Sequence, residues 1–396
     1  MGRFLNRSNL LYVLFMLVFA VLLLELASRW YLSSVLNKSV ERKFQFDSYR
    51  IYAHVPGYQE SDDQGARLSI NAQGFRRTSD VVTPKPAGTV RIFFLGGSAA
   101  HGISSANPFP ISHVRDNETI DAHLERMLAA RFPGKRIEVI NAAVTGYKVF
   151  QHTAYIQTEL LDHEPDLVIF FDGYNDHYKY NPAEDQDRDN IYQFWKPRLQ
   201  DPGLGGLFDH FTLWASNFSG MARGYHAWRN NKDAGDREAL VQANTAGWTE
   251  QQMVAGYRES RTSNYLRSVA TNLLILREQG IEALVCLQSG LRFRDERLLS
   301  ETERDVLLPM VHDDYRTVLQ PLILHDLDSV SRLYGAHLVD ANTTLNDPAL
   351  AGKQLFLDYC HLTPLGSELA ARTMLPELES MITAMDSTPT DTVNIR

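Results

Sequence analysis

Arg91-Ile-Phe-Phe-Leu-Gly-Gly-Ser98-Ala-Ala-His-Gly102 is the stretch that decides the fold. Ile92 to Leu95 are four consecutive β-favouring apolar residues, the pattern of a strand buried on both faces in a parallel sheet. Gly96 and Gly97 permit a tight turn at its end, and Ser98 follows directly. Ligands of open α/β sheets gather beyond the carboxyl ends of strands, so this hydroxyl stands where chemistry is expected. By themselves the same residues also describe a turn with a capping serine. The remainder of the chain chooses between the two.

Downstream, strand and helix patterns alternate. Ile120, Leu124, Met127 and Leu128 recur at helical spacing, and Phe132-Pro-Gly134 stops that helix. Ile137 to Ile140 is a second strand. Tyr155, Ile156, Leu160 and Leu161 suit a helix ending near Pro165, and Asp166 to Phe171 is a third, central strand. Leu266, Val269, Leu273, Leu274 and Leu276 mark a helix closed by Gly280; Ile281 to Leu287 is a fourth strand and His337 to Asp340 a short fifth. Leu365 to Met385 is helical, entered through Thr363-Pro364, with a kink or break expected at Pro376. Such alternation predicts a parallel sheet with helices on both faces.

Upstream of this core, Leu10 to Ala27 is almost unbroken hydrocarbon with Glu25 its one charge. It is long enough to cross a bilayer core of ~30 Å as a helix. Arg3 and Arg7 precede it; Lys38, Arg42 and Lys43 follow. Because long downstream domains translocate largely regardless of such charges, the expected topology is N-terminus inside and domain outside, a signal anchor rather than a cleaved signal peptide. The expected organisation is a cytoplasmic end over 1–9, an anchor over 10–28, a juxtamembrane region over 29–88, a main domain over 89–385 and a loose tail over 386–396. Within the main domain, residues 178–255 interrupt the β-α rhythm with Tyr178, Trp195, Phe208, Phe211, Trp214, Phe218, Trp228 and other aromatics. This insertion is read either as a lid over the sheet's carboxyl edge or as a subdomain packing its own aromatics.

Composition removes several classes. A net charge of −9 without an offsetting basic stripe argues against a nucleic-acid binder. There is no P-loop, no dinucleotide glycine fingerprint and no paired-cysteine zinc motif. The two cysteines, Cys286 and Cys360, read as small buried hydrophobes or as a disulfide of an exported domain. Asp172, Asp176 and His177 lie close in sequence but are assigned structural roles, so no metal and no cofactor is expected.

The chemistry lies in four small blocks, each at an element end. Gly97-Ser98 follows strand one, Gly146 follows strand two, and Gly173-Tyr-Asn175-Asp176 follows strand three; Asp358-Tyr-Cys-His361-Leu-Thr-Pro364 precedes the last helix. In this order the chain resembles the SGNH (GDSL-like) hydrolase family over about residues 90–385. Gly-Gly-Ser98-Ala stands in place of Gly-Asp-Ser-Leu, as in membrane-anchored bacterial members that also carry a segment like Ile70-Asn-Ala-Gln-Gly-Phe-Arg76. The resemblance implies a flavodoxin-like three-layer α/β/α fold beside the transmembrane helix. It also implies Ser98 as nucleophile, His361 as general base and Asp358 as the carboxylate orienting the imidazole. The implied oxyanion donors are the N–H groups of Ser98 and Gly146 and the side-chain amide of Asn175. His101, close after Ser98, is read as pocket wall. The function implied is a membrane-anchored serine esterase acting outside the cytoplasm on an ester, with O-acyl groups on envelope polysaccharide as the leading substrate. An O-acyltransferase using the same triad and a catalytically silent envelope scaffold are the alternatives.

Overall fold

A computed structural model describes residues 7–31, 44–61, 67–102, 114–177, 249–260, 265–310 and 315–387, and, between 208 and 225, residues 208, 211, 212, 214, 215, 218–222, 224 and 225. The chain divides into two compact units, one of Met1–Gln45 with Asp189–Asn244 and one of Phe46–Arg188 with Thr245–Arg396.

The larger unit is built on a five-stranded sheet. Its strands are β1 (Thr89–Gly96), β2 (Arg136–Asn141), β3 (Leu167–Asp172), β4 (Glu282–Leu287) and β5 (His337–Asp340). They lie in the order β2-β1-β3-β4-β5 and every pair is parallel. This is the flavodoxin-like doubly wound order, whose strand sequence reverses direction between β1 and β3. Ile92 pairs with Val139 on one side and Leu167 on the other, and every residue of β1 and β3 is buried. The apolar runs were required for that, since a central parallel strand has no solvent face.

Alternate residues of these strands feed two cores. Ile92, Phe94, Ile169 and Phe171 meet Ile120, Leu124 and Leu128 of one helix (Ile120–Arg131) and Met374, Leu378 and Ile382 of another (Pro364–Ser387). On the opposite face Phe93 packs on Phe75 and Phe170 on His152 of the helix Val149–Thr158. In chain order the α-helices among the described residues of this unit are α2 (Ser98–His101), α3 (Ile120–Arg131), α4 (Val149–Thr158), α5 (Tyr174–His177), α6 (Glu250–Ser260), α7 (Tyr265–Glu278), α8 (Tyr315–Tyr334) and α9 (Pro364–Ser387). Helix layers on both sides of the sheet make the three-layer α/β/α fold.

Three features add to the sequence reading. Helix α9 continues through Pro376, so of the expected kink or break the break does not occur. A proline forfeits one intrahelical bond, and Met374, Leu378, Met381 and Ile382, all buried, hold both halves against the core. Helix α8, between β4 and β5, is an element the periodicity reading does not assign. Residues before β1 pack onto the sheet: Phe75 is fully buried, and the Arg76 N–H donates to the Asn141 carbonyl at the end of β2.

Arg91 pins the opposite end of the sheet. Its fully buried guanidinium bonds Glu138 on β2 and the carbonyls of His163 and Val82, while its N–H donates to Asp166 before β3. A guanidinium out of water is tolerable only when its donors are used and a counter-charge is at hand.

The smaller unit contains α1 (Arg7–Trp30). Its Asn9–Trp30 portion, 22 residues, is long and apolar enough to cross a membrane. Most of the aromatic insertion (178–207, 226–248) lies outside the described residues.

Candidate active site

The site forms at the carboxyl edge of the sheet, beyond the paired ends of β1 and β3. Ser98 is the first residue of α2, immediately after the Gly96-Gly97 turn that ends β1. First-turn N–H groups of a helix have no intrahelical acceptor, so the Ser98 N–H is not consumed by the helix. Two close approaches dictate the glycines. A Cβ on Gly96 would fall 2.5 Å from both the Phe171 carbonyl oxygen and the Ala100 Cβ, and one on Gly97 would fall 2.3 Å from Asn175 Nδ2.

The Ser98 Oγ lies 2.6 Å from His361 Nε2, and His361 Nδ1 lies 2.8 and 2.9 Å from the two Asp358 oxygens. A protonated Nδ1 donating to the carboxylate leaves Nε2 as the acceptor that faces the hydroxyl. Asp358 and His361 are both buried. The Asp358 Oδ1 also accepts from the backbone N–H groups of Cys360 and His361, which shapes the loop tightly enough to bring a residue and its neighbour three positions on into contact. The loop is closed by the Leu357 N–H on the His361 carbonyl and by a bridge between Phe356 and Leu362. Tyr359 lies edge-on to the imidazole and stacks on Tyr174, the neighbour of Asn175. Burial pushes the Asp358 carboxyl up, but its hydrogen bonds from His361 and the Cys360 backbone outweigh this and hold it below the usual carboxylate range.

The other two blocks converge on the same place. Asn175 Nδ2, beside Gly97, donates to the Tyr147 carbonyl at 2.9 Å. That bond uses one amide hydrogen and orients the second. Gly146, just before Tyr147, has φ +82°, a left-handed conformation natural to glycine. A Cβ there would fall 2.9 Å from Tyr52 Oη, which donates to the Thr145 carbonyl. Tyr147 Oη in turn donates to the Tyr52 carbonyl. The turn is thus held by the strand Ile51–His54, a support that sequence reading did not identify.

His101 is fully buried. Its ring stacks on His54 with centroids 4.6 Å apart, Nδ1 lies 3.1 Å from the Ala143 carbonyl, and its own carbonyl accepts from Arg76 Nη1. Arg76 also donates to the Val114 carbonyl and to Asp116. The sequence names Arg76 only as the end of the segment Ile70–Arg76 and assigns it no role; in the structure it clamps the end of the short helix that Ser98 begins.

Asp172 and Asp176 serve the frame. Asp172, at the end of β3, lies 3.1 Å from His152 Nε2, and Asp176 accepts from the Val149 N–H that opens α4. Burial, then the neighbouring Asp172 charge, raise the Asp176 carboxyl to about 7. Among the described residues, the side chains grouped closely enough to ligate an ion are Asp358, Cys360 and His361, the same atoms that form the hydrogen-bonded relay. Cys286 and Cys360 are both buried and not joined in a disulfide, and burial pushes the Cys286 thiol well up.

No family model matches the sequence, and no curated protein matches it. Among solved structures, the chain is similar to an acetylxylan esterase from Geobacillus stearothermophilus, at 14% identity and a TM-score of 0.38 over 73% of this chain and 94% of that one. It is also similar to a protein from Parabacteroides merdae described as a GDSL-like lipase, at 13% identity and a TM-score of 0.39 over 74% and 96%. At these scores the likeness carries no weight for function; the fold follows from the strand order and the two buried faces.

Proposed function

We propose that this protein is a membrane-anchored serine esterase of the SGNH type. The observation that carries the reading is the continuous relay from Ser98 Oγ through His361 to Asp358, with distances of 2.6 and 2.8 Å. In the proposed reaction, His361 Nε2 takes the Ser98 hydroxyl proton as Oγ attacks the ester carbonyl carbon. The carbonyl electron pair moves to oxygen, and the Ser98 and Gly146 N–H groups and the free Asn175 amide hydrogen stabilise that charge. Collapse expels the alcohol, which takes the proton back from His361. A water molecule then repeats the sequence in reverse and releases the acid. Asp358, held ionised by its hydrogen bonds, keeps the imidazole in the required tautomer and balances its charge while it is protonated.

Helix α1 serves as the anchor, with the larger unit outside the cytoplasm. Its substrate is an ester within reach of a membrane-bound enzyme, with O-acyl groups on envelope polysaccharide as the leading class. The test is turnover of p-nitrophenyl acetate and longer acyl homologues, with and without an acylated polysaccharide, by the full chain and by Ser98→Ala. Release should require Ser98, and a fluorophosphonate should label the parent but not the variant. Unlabelled Ser98 together with Ser98-independent release would overturn the reading, and release stimulated by a sugar acceptor with acylated product would convert it to acyl transfer.

A further inference from the structure

Within the smaller unit, the described side chains between 208 and 225 are sorted in the reverse of a water-facing helix. Residues 208, 211, 212, 214 and 215 are helical. Phe208, Phe211, Trp214 and Phe218 are exposed, each by more than half, whereas Thr212, Ala215 and Ala222 are buried. Phe211, Trp214 and Phe218 follow one another at helical spacing and touch in sequence, with ring centroids 5.9 and 4.7 Å apart. A contiguous aromatic stripe facing out while small residues face in marks a surface that meets something other than water.

The same segment is bolted to α1. Glu25 accepts hydrogen bonds from the Gly220 N–H at 2.5 Å, the Ser219 hydroxyl at 2.8 Å and the Met221 N–H at 3.2 Å, and pairs with Arg29. Arg29 also donates to the Phe218 carbonyl. Gly220 lies so close to the helix that a Cβ would fall 2.8 Å from Arg29 Cγ. These contacts set the depth of the aromatics. Glu25 is five residues before Trp30, so at 1.5 Å per residue it lies only about 7 Å from the end of a span of about 30 Å. Trp30 and Tyr31, both exposed, mark that end with the aromatic pair typical of a headgroup boundary. An ionised side chain in such a helix needs partners, and the segment supplies them at that level.

We infer that Phe208, Phe211, Trp214 and Phe218 form an interfacial membrane-binding face, inserted into the headgroup boundary of the bilayer that α1 crosses. The inference rests on the anchor reading of α1. The Trp214 indole, apolar in body with one N–H donor, is stable at that depth, and burial of the apolar Phe208, Phe211 and Phe218 rings beside it adds a second, lateral attachment to that of α1.

The test uses the full chain in phospholipid nanodiscs with single environment-sensitive fluorophores on W214C, F211C, L17C and R297C. Cys286 and Cys360 are buried, so labelling of the folded protein is confined to the new thiols. Lipids spin-labelled near the headgroup should quench the 214 and 211 positions several-fold more than the solvent-facing 297 position. Position 17 should respond most to lipids labelled deep in the chain. Quenching at 17 with none at 211 or 214 beyond that at 297 would overturn the inference and leave the anchor standing. Loss of quenching at 17 as well would overturn both. Shielding of 211 and 214 from lipid quenchers and from aqueous iodide alike would mean that protein covers the face, and would also overturn it.

Discussion

Asp176 shows what a single buried carboxyl does to the larger unit. Burial and Asp172 lift its pKa from 3.8 to about 7. Between those values the unfolded chain has released this proton while the folded chain retains it. The stability linked to Asp176 is therefore complete below the unfolded pKa and lost as pH rises through about 7. Asp176→Asn keeps an acceptor for the Val149 N–H and removes the titration. Its melting temperature should exceed the parent's at about pH 8, and the gain should shrink towards about pH 4. An equal difference at both pH values would show that Asp176 does not titrate in this way. At this scale the blocks that hold Ser98, Asn175, Asp358 and His361 were legible as short polar motifs at element ends, and their roles came from the family that the chain resembles. The roles of Arg76 and Tyr147 were not legible, because a guanidinium on a carbonyl, or a carbonyl that orients an amide, leaves no pattern in sequence.

The turn from β1 into α2 is the element on which the site depends. Gly97 gives way to Asn175, whose Nδ2 occupies the space of a Cβ. Gly97→Ala should displace that amide from the Tyr147 carbonyl and withdraw the proposed oxyanion donor, lowering kcat by about 10²–10³ while leaving the fold intact. Ester turnover beside a thermal melt checks this; kcat within a few-fold of the parent would remove Asn175 from its proposed role. The strands were readable because apolar runs bounded by turns have few other interpretations. Helix ends were less so. Pro376 signals a break locally, but packing of Met374 and Leu378 on either side overrides it. Helix α8 hides behind Pro321, although Leu319, Ile323 and Leu327 repeat every four residues on its buried side.

Over the whole larger unit, stability and site are joined through Glu303. Its buried carboxylate accepts from the N–H groups of Leu355 and Phe356 and from Ser300, and pairs with buried Arg294. Arg294 donates further to the carbonyls of Leu350 and Lys353. Together they tie the segment after β4 to the run that leads into Asp358. Glu303→Ala leaves a buried guanidinium without its counter-charge and should cost about 3–5 kcal/mol in denaturant unfolding. A loss below about 1 kcal/mol would place the pair among interactions of surface strength.

By itself the sequence determined the parallel sheet, the membrane-spanning length of α1 and the identity of the residues at the strand ends. Those follow from local patterns: apolar runs, turn glycines and unbroken hydrocarbon. Only the tertiary structure decided that Ser98 and His361, 263 positions apart, share a hydrogen bond. It alone set Asn175 against Gly97, closed α9 over a proline and turned four aromatic rings of the insertion outward beside α1. Each of these depends on distances between segments remote in the chain, and such distances are set by packing and by the pairing of buried polar groups rather than by neighbouring residues.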